Sequence, residues 1–291
     1  MSPEIRAQLQ ALGAELSPPM MQGTSRLLAS VAAPRDVAVE VTRDHFYGPD
    51  ARNRLDVFRK GLPSRAPVLV YVHGGGFVMG DKTSAGSPFY DNVGQWAAQQ
   101  GFVGVTMTYR LAPANRWPSG PEDMARAVLW LRAHIAQFGG NPDAIFLMGQ
   151  SAGAAHVAAY VSQGRFQPQG STGLAGALMI SGIYDATTQP PNQFSAAYYG
   201  EDPATSAEAR NVAGLVESPL PLLFSVSEFD PRDFQDQAAQ LSQAWHQRHG
   251  RLPPLEYLSG HNHLSPAQAI GSTVDDLGPR IARFIAVFNP P

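Results

Sequence analysis

Ala144-Ile-Phe-Leu-Met-Gly-Gln-Ser-Ala-Gly-Ala-Ala-His-Val-Ala-Ala-Tyr-Val161 is the stretch on which the reading of this chain turns. Residues 144–148 are apolar at both parities, the pattern of a strand covered on both faces. Residues 149–153 form a tight turn, and residues 154–161 read as a helix. The turn itself, Gly149-Gln-Ser-Ala-Gly153, fits G-x-S-x-G, in which a serine sits on a strained strand-to-helix corner and its hydroxyl projects out of the sheet. A Gly- and Ser-rich turn also arises by chance. The flanking strand and helix argue against that origin here and make Ser151 the candidate nucleophile.

Upstream, Pro67-Val-Leu-Val-Tyr-Val72 is a second buried strand, and it runs into His73-Gly-Gly-Gly76-Phe77. Acyl transfer builds negative charge on a carbonyl oxygen, and backbone N–H groups aimed at that oxygen stabilise it. Glycines let the backbone come that close. The candidate donors are Gly75 and Gly76 together with the N–H of Ala152. His73 reads as a structural residue that holds the loop.

A serine needs a general base, and the base needs an acid to fix its tautomer. On this pattern the chain order is Ser, Asp or Glu, His. The strand at 222–226 leads into Ser227-Glu-Phe-Asp230-Pro231, which makes Asp230 the first choice of acid and Glu228 the reserve. Asp233 and Asp236 read as solvated helix residues. His246 and His249 fall within the following helix, which leaves His261 and His263 in Gly260-His-Asn-His263-Leu-Ser-Pro266. His263 is favoured because it stands next to the start of the next helix. A His-x-His pair also suits a metal, but no third ligand accompanies it at a sensible spacing, so no metal and no cofactor are expected. His156 reads as packed within the nucleophile helix, and Glu122 and Asp123 as favourable charges at a helix start.

Around these motifs strands and helices alternate. Further strands are predicted at 37–46, 53–58, 102–108, 174–180 and 255–258, and helices at 90–100, 122–138, 233–249 and 274–288. The resulting expectation is an α/β fold: a mostly parallel sheet with helices on both faces and functional residues gathered at the carboxyl ends of the strands. Residues 1–30 are expected to form a small helical cap segment ahead of a hydrolase domain at 31–291. Within that domain, residues 183–216 fit no simple core element and suggest a lid insertion. Phe194, Tyr198 and Tyr199 are candidates for an apolar wall there, or for ordinary core.

Composition narrows the function classes. The chain has 291 residues, 44% hydrophobic and 15% charged, enough apolar material for a buried sheet. Its net charge of −3, without a basic run, gives no footprint for nucleic acid or anionic lipid. With no cysteine, disulfides, thiolate metal sites and cysteine nucleophiles are all excluded. No segment is of signal-peptide or membrane-spanning character, so a cytoplasmic protein with a small-molecule partner is expected. A homo-oligomer is left open.

Taken together, His73-Gly-Gly-Gly-Phe77, Tyr109-Arg-Leu-Ala-Pro113 with Trp117-Pro118 and Glu122-Asp123, and Gly149-Gln-Ser-Ala-Gly153 resemble the hormone-sensitive-lipase-like branch of the α/β hydrolases and the related kynurenine formamidase-like enzymes. The resemblance covers about residues 53–288. It implies an α/β-hydrolase fold and a serine carboxylesterase that hydrolyses small to medium acyl esters through a Ser-His-Asp triad and an acyl-enzyme. A formamidase or amidase with the same triad is the alternative, and a ligand-binding protein that kept the fold without catalysis is another. The chain departs from the lipase-like pattern at Gln150 and Ala154, where Asp and Gly are usual. It also departs at Asp230-Pro-Arg-Asp-Phe, in place of Asp-Pro-Leu-x-Asp-Glu, and at Leu264-Ser265 after the histidine, in place of Gly-Phe.

Overall fold

The computed structural model describes residues 1–289; residues 290 and 291 of the predicted hydrolase domain lie outside the described residues. Two helices come first, α1 (Pro3–Leu12) and α2 (Pro18–Ser30), each opened by a serine whose Oγ accepts an N–H of the first turn, Ser2 from Ile5 and Ser17 from Met20. Helix α1 stops at Gly13, which has φ 80°, and α2 starts at Pro18 because prolines at the first helical positions need no intrahelical donor there.

The body is built from β1 (Val39–Phe46), β2 (Arg54–Lys60), β3 (Ala66–Val72), α3 (Asp91–Gln99), β4 (Val103–Met107), α4 (Ser119–His134), β5 (Gly140–Gln150), α5 (Ala152–Ser162) and β6 (Gly176–Ile180). After β6 come α6 (Gln193–Tyr199), α7 (Pro203–Glu208), α8 (Val212–Glu217), β7 (Leu222–Phe229), α9 (Arg232–His249), β8 (Leu255–Asn262), α10 (Ser265–Ala269) and α11 (Gly278–Phe288). The eight strands form one sheet in the order β1-β2-β4-β3-β5-β6-β7-β8. β2 lies antiparallel to both β1 and β4, and the pairings from β4 through β8 are parallel. This is the mostly parallel sheet expected from the sequence.

Side chains of β3 alternate between two cores, as the pleat requires. Val68, Val70 and Val72 join a cluster with Met124 and Leu131 of α4, Val157 of α5 and Leu241 of α9. Leu69 and Tyr71 join a second cluster with Val93 and Trp96 of α3 and Ile281 and Phe284 of α11. Because both faces are covered, the strands read as continuous apolar runs rather than alternating ones.

Several boundaries differ from expectation; the last strand, for one, runs on past 258 to Asn262, and three other differences have a visible cause. The strand expected at 144–148 begins earlier: β5 starts at Gly140, which pairs with Ala66, and the register then jumps to Val68 opposite Ile145, so Asn141, Pro142 and Asp143 occupy a bulge. A proline without an N–H is accommodated there because the ladder is locally interrupted. Helix α4 ends at His134 and continues as a 3₁₀ turn, Ile135–Phe138. The last helix starts at Gly278 rather than Val274, because Asp275 accepts hydrogen bonds from the N–H groups of Gly271, Leu277 and Gly278 and holds the preceding residues in a turn.

Candidate active site

The loops after β3, β5, β7 and β8 converge at the carboxyl edge of the sheet. At the end of β5, Ser151 has φ 56° and ψ −121°, outside the basins that non-glycine residues favour. Such a corner brings two backbones together: a Cβ on Gly153 would lie 2.3 Å from the carbonyl oxygen of Val72, so only glycine fits. The Ser151 N–H donates to Ile180 O at 2.9 Å, which fastens the corner to β6.

Asp230 and His263 are brought together although they lie 33 residues apart in sequence: His263 Nδ1 is 2.7 Å from Asp230 Oδ1. Both are buried. The second carboxylate oxygen, Oδ2, accepts from Ser227 N–H and from Ser181 Oγ–H, each at 2.6 Å. With its Nδ1 so engaged, His263 keeps Nε2 buried and without a hydrogen-bond partner. Ser151 and His263 line the same cavity, of about 360 Å³.

The other candidates have different partners. Glu228 takes a bidentate contact from Arg6 of α1, with both distances 2.6 Å, and also accepts from Ser259 Oγ and Gly260 N. The Arg6 hydrogen bonds, reinforced by Ser259 and Gly260, hold its carboxyl down at about 2. It thus fastens α1 to the sheet and is fully engaged without a histidine. His261 lies between Ser265 Oγ at 2.9 Å and Asp276 Oδ2 at 3.1 Å, so the two histidines of the His-x-His pair serve separate partners.

The glycine loop after β3 is held from below. His73 places Nδ1 2.6 Å from Gly74 O, and its ring stacks on Tyr109, whose hydroxyl donates to His73 O at 2.9 Å. Burial depresses His73 to about 4, so it stays neutral. Tyr109 opens the Tyr-Arg-Leu-Ala-Pro segment, and the next residue, Arg110, is clamped by Asp123 through both its N–H and its Nε. Asp123, read as a helix-start charge, is therefore the buried anchor of this segment. Gly75 adopts φ 124°, and a Cβ there would lie 2.1 Å from Met79 O. Among the described residues, the N–H groups of Gly75 and Gly76 have no backbone partner.

The cavity walls come from several elements. Leu16, Met21 and Ser25 enter from the N-terminal helices and their connection, and Ile183, Gln189, Asn192 and Phe194 from the segment at 183–216. Of the three aromatic candidates only Phe194 lines the cavity. Tyr198 and Tyr199 are core: Phe77 stacks on Tyr198 with centroids 4.5 Å apart, and Tyr198 OH accepts from Gly120 N. His156 is packed among Phe77, Tyr109 and Tyr198, and burial depresses it to about 3.

Three residues escaped the sequence reading. Asp233, expected on a solvated helix face, is half-buried on the cavity wall in the first turn of α9, because the turn at Pro231 aims that end of the helix at the site. Gln150 bridges the site: its Oε1 accepts from Tyr71 OH at 2.9 Å and its Nε2 donates to His263 O at 2.7 Å. Thr24 of α2 accepts from Asn262 Nδ2 at 2.7 Å, directly beside His263. Only Gln150 carried a signal, its unusual place before the serine. Among the described residues, no helix is long and apolar enough to cross a membrane.

Comparison with known proteins agrees with this architecture. Residues 69–264 match the family described as alpha/beta hydrolase fold. The chain is similar to a probable carboxylic ester hydrolase, LipM, of Mycobacterium tuberculosis, 35% identical over 50% of this chain and 35% of that one. It is also similar to the para-nitrobenzyl esterase of Bacillus subtilis, 34% identical over 63% of this chain and 36% of that one. The chain thus spans about a third of the length of the curated relatives it matches. Among solved structures, esterase B of Lactobacillus rhamnosis superposes with a TM-score of 0.75 at 16% identity, covering 98% of this chain and 95% of the other. The hyperthermophilic esterase of the archaeon Pyrobaculum calidifontis gives 0.71 at 21% identity, covering 99% and 97%. With a family match that takes in Ser151, Asp230 and His263 and a sheet of the same architecture, the chain belongs to the alpha/beta hydrolase fold family.

Proposed function

We propose that the chain is a serine esterase acting on small to medium acyl esters. The observation that carries this reading is the buried Asp230–His263 pair, in which Nε2 has no partner and His263 lines the same cavity as Ser151. The names of the Mycobacterium and Bacillus relatives, both ester hydrolases, support it.

In the proposed mechanism, Asp230 holds the proton of His263 on Nδ1, so Nε2 is the basic atom. His263 takes the Ser151 hydroxyl proton as Oγ bonds to the ester carbonyl carbon, and Asp230 stabilises the resulting imidazolium. The carbonyl oxygen becomes an oxyanion within reach of the N–H groups of Gly75, Gly76 and Ala152, whose positions are fixed in advance by the strained loop and the corner. As the tetrahedral intermediate collapses, the carbon–alkoxy bond breaks and the imidazolium gives its proton to the departing alcohol. Water, deprotonated by the same histidine, then attacks the acyl carbon; the bond to Ser151 Oγ breaks, Oγ takes the proton back from His263, and the acid leaves. The Ser151–His263 hydrogen bond is not made in the resting site, and such contacts commonly tighten only when substrate is bound. A cavity of about 360 Å³, with Phe194 and Phe234 on its walls, suits a short or medium acyl group.

The test is hydrolysis of a p-nitrophenyl ester series from acetate to palmitate, with N-formylkynurenine in parallel. Turnover that falls with chain length and vanishes in Ser151→Ala is the expected result. Turnover of the formamide alone would move the chain to the amidases, and silence on both would overturn the catalytic reading.

A further inference from the structure

The cavity lining is uneven in charge. No Lys or Arg is among its described lining residues, and Asp233 supplies its one carboxylate. That carboxylate has neither an ion-pair partner nor a hydrogen-bond partner among the described residues; the adjacent Arg232 turns instead to Asp236 at 3.5 Å. Gln189 and Gln268 also line the cavity, and the Oε1 atom of each is buried without a hydrogen-bond partner among the described residues. Aromatic rings of Phe194 and Phe234 complete the surroundings.

We propose that this wall selects an ester carrying an ammonium group, with Asp233 as the specificity-determining residue. A carboxylate without a partner on a cavity wall is satisfied by a ligand that brings an N–H donor and a positive charge. The aromatic faces add attraction to the same cation. An acid in the first turn of a helix is favourable without any ligand, and the helix end offsets part of the charge. That accounts for a carboxylate in α9 but not for the absence of any cation or donor facing it on a catalytic cavity. An anionic substrate is disfavoured by the same arrangement.

This inference deepens the esterase reading and rests on it for turnover, so its test has an arm that does not. In the binding arm, 2-(dimethylamino)ethanol, protonated at neutral pH, is compared by NMR titration with its neutral isostere 3-methylbutan-1-ol. The ammonium ligand should bind about five- to tenfold more tightly at low ionic strength, as expected for a partly exposed charge contact with aromatic support. The preference should shrink at high ionic strength, a comparison that needs no variant. Asp233→Asn should remove it and Asp233→Glu should retain it. In the turnover arm, kcat/KM is measured for the butyrate esters of the two alcohols. Dividing the wild-type ratio by the Asp233→Asn ratio cancels the difference in leaving-group reactivity, and the quotient should again be about five to ten. Equal binding of the two alcohols, or a preference that survives in Asp233→Asn, would overturn the inference. Preferential ammonium binding with neither ester turned over would sustain the inference while refuting the esterase reading.

Discussion

Replacing Asp230 by asparagine changes a single atom, and the structure dictates which way the new amide must face. Oδ2 of the native carboxylate accepts from two donors, one of them the Ser227 backbone N–H, which cannot rotate away. In the Asp230→Asn protein the amide oxygen is therefore forced to that side, and the amide NH₂ turns toward His263 Nδ1, which lies 2.7 Å from the native Oδ1. Facing a donor, Nδ1 must accept, so the histidine proton moves to Nε2, the atom that should receive the proton of Ser151. The base is present, correctly placed and in the wrong tautomer. The same substitution in a serine protease triad costs about 10⁴-fold in kcat, about 5 kcal/mol of barrier. A loss of about that size is expected here in kcat for p-nitrophenyl butyrate, with thermal stability changed far less than by Asp230→Ala. The alanine variant strands a buried N–H and an unpaired imidazole, a class of change that costs about 3–5 kcal/mol. If Asp230→Asn kept activity within tenfold of wild type, the tautomer argument and the assignment of the acid would both fail.

Other consequences are as direct. Gln150→Leu removes the donor to His263 O and leaves the Tyr71 hydroxyl unpaired, so kcat should fall about tenfold with little change in KM, as for a residue that positions the base without touching substrate; an equal loss in KM alone would contradict this. Gly75→Ala cannot be accommodated at φ 124° beside Met79 O, and displacement of this loop should cost about 10² or more in kcat while Ser151 still reacts slowly with a phosphonate. His156 ionises at about 3 in the folded chain because of its burial, against an ordinary 6.5. Unfolded chains therefore bind the extra proton first, so stability is full above pH 6.5 and is lost as pH falls toward 3. His156→Phe should flatten the dependence of Tm on pH in that window, and an unchanged slope would refute the contribution. For Glu228, held at about 2 by Arg6, the sign is the same: its contribution is complete above its ordinary 4.5 and disappears as pH falls through 2, and Arg6→Ala should remove it, as read by acid titration of Tm.

The sheet was legible because both of its faces are covered. Strands such as β3 and β5 carry long apolar runs, and a corner of Gly, Ser and Gly between strand and helix has few other uses. The pairing of Asp230 with His263 was legible from chain order and from their places after strands. What could not be read depends on contacts between distant segments. That β4 lies between β2 and β3 leaves no mark on local periodicity. Asp233 has the appearance of an ordinary helix-start acid, and only the aim of α9 puts it on the cavity wall. Gln150 was visible as a departure, but its bond to a backbone carbonyl 113 residues away was not. Likewise Pro142 signals a break by itself, while a bulge opposite β3 lets the strand run through it.

The central claim is that Ser151 forms a covalent acyl-enzyme under the control of His263. Incubation with a p-nitrophenyl alkylphosphonate, followed by peptide mass spectrometry and a parallel count of released p-nitrophenol, tests it most directly. The account predicts one phosphonyl group per chain, on Ser151, with loss of ester hydrolysis in proportion, and strongly slowed labelling in His263→Ala. Labelling at another residue, or hydrolysis that persists once Ser151 is fully modified, would contradict it.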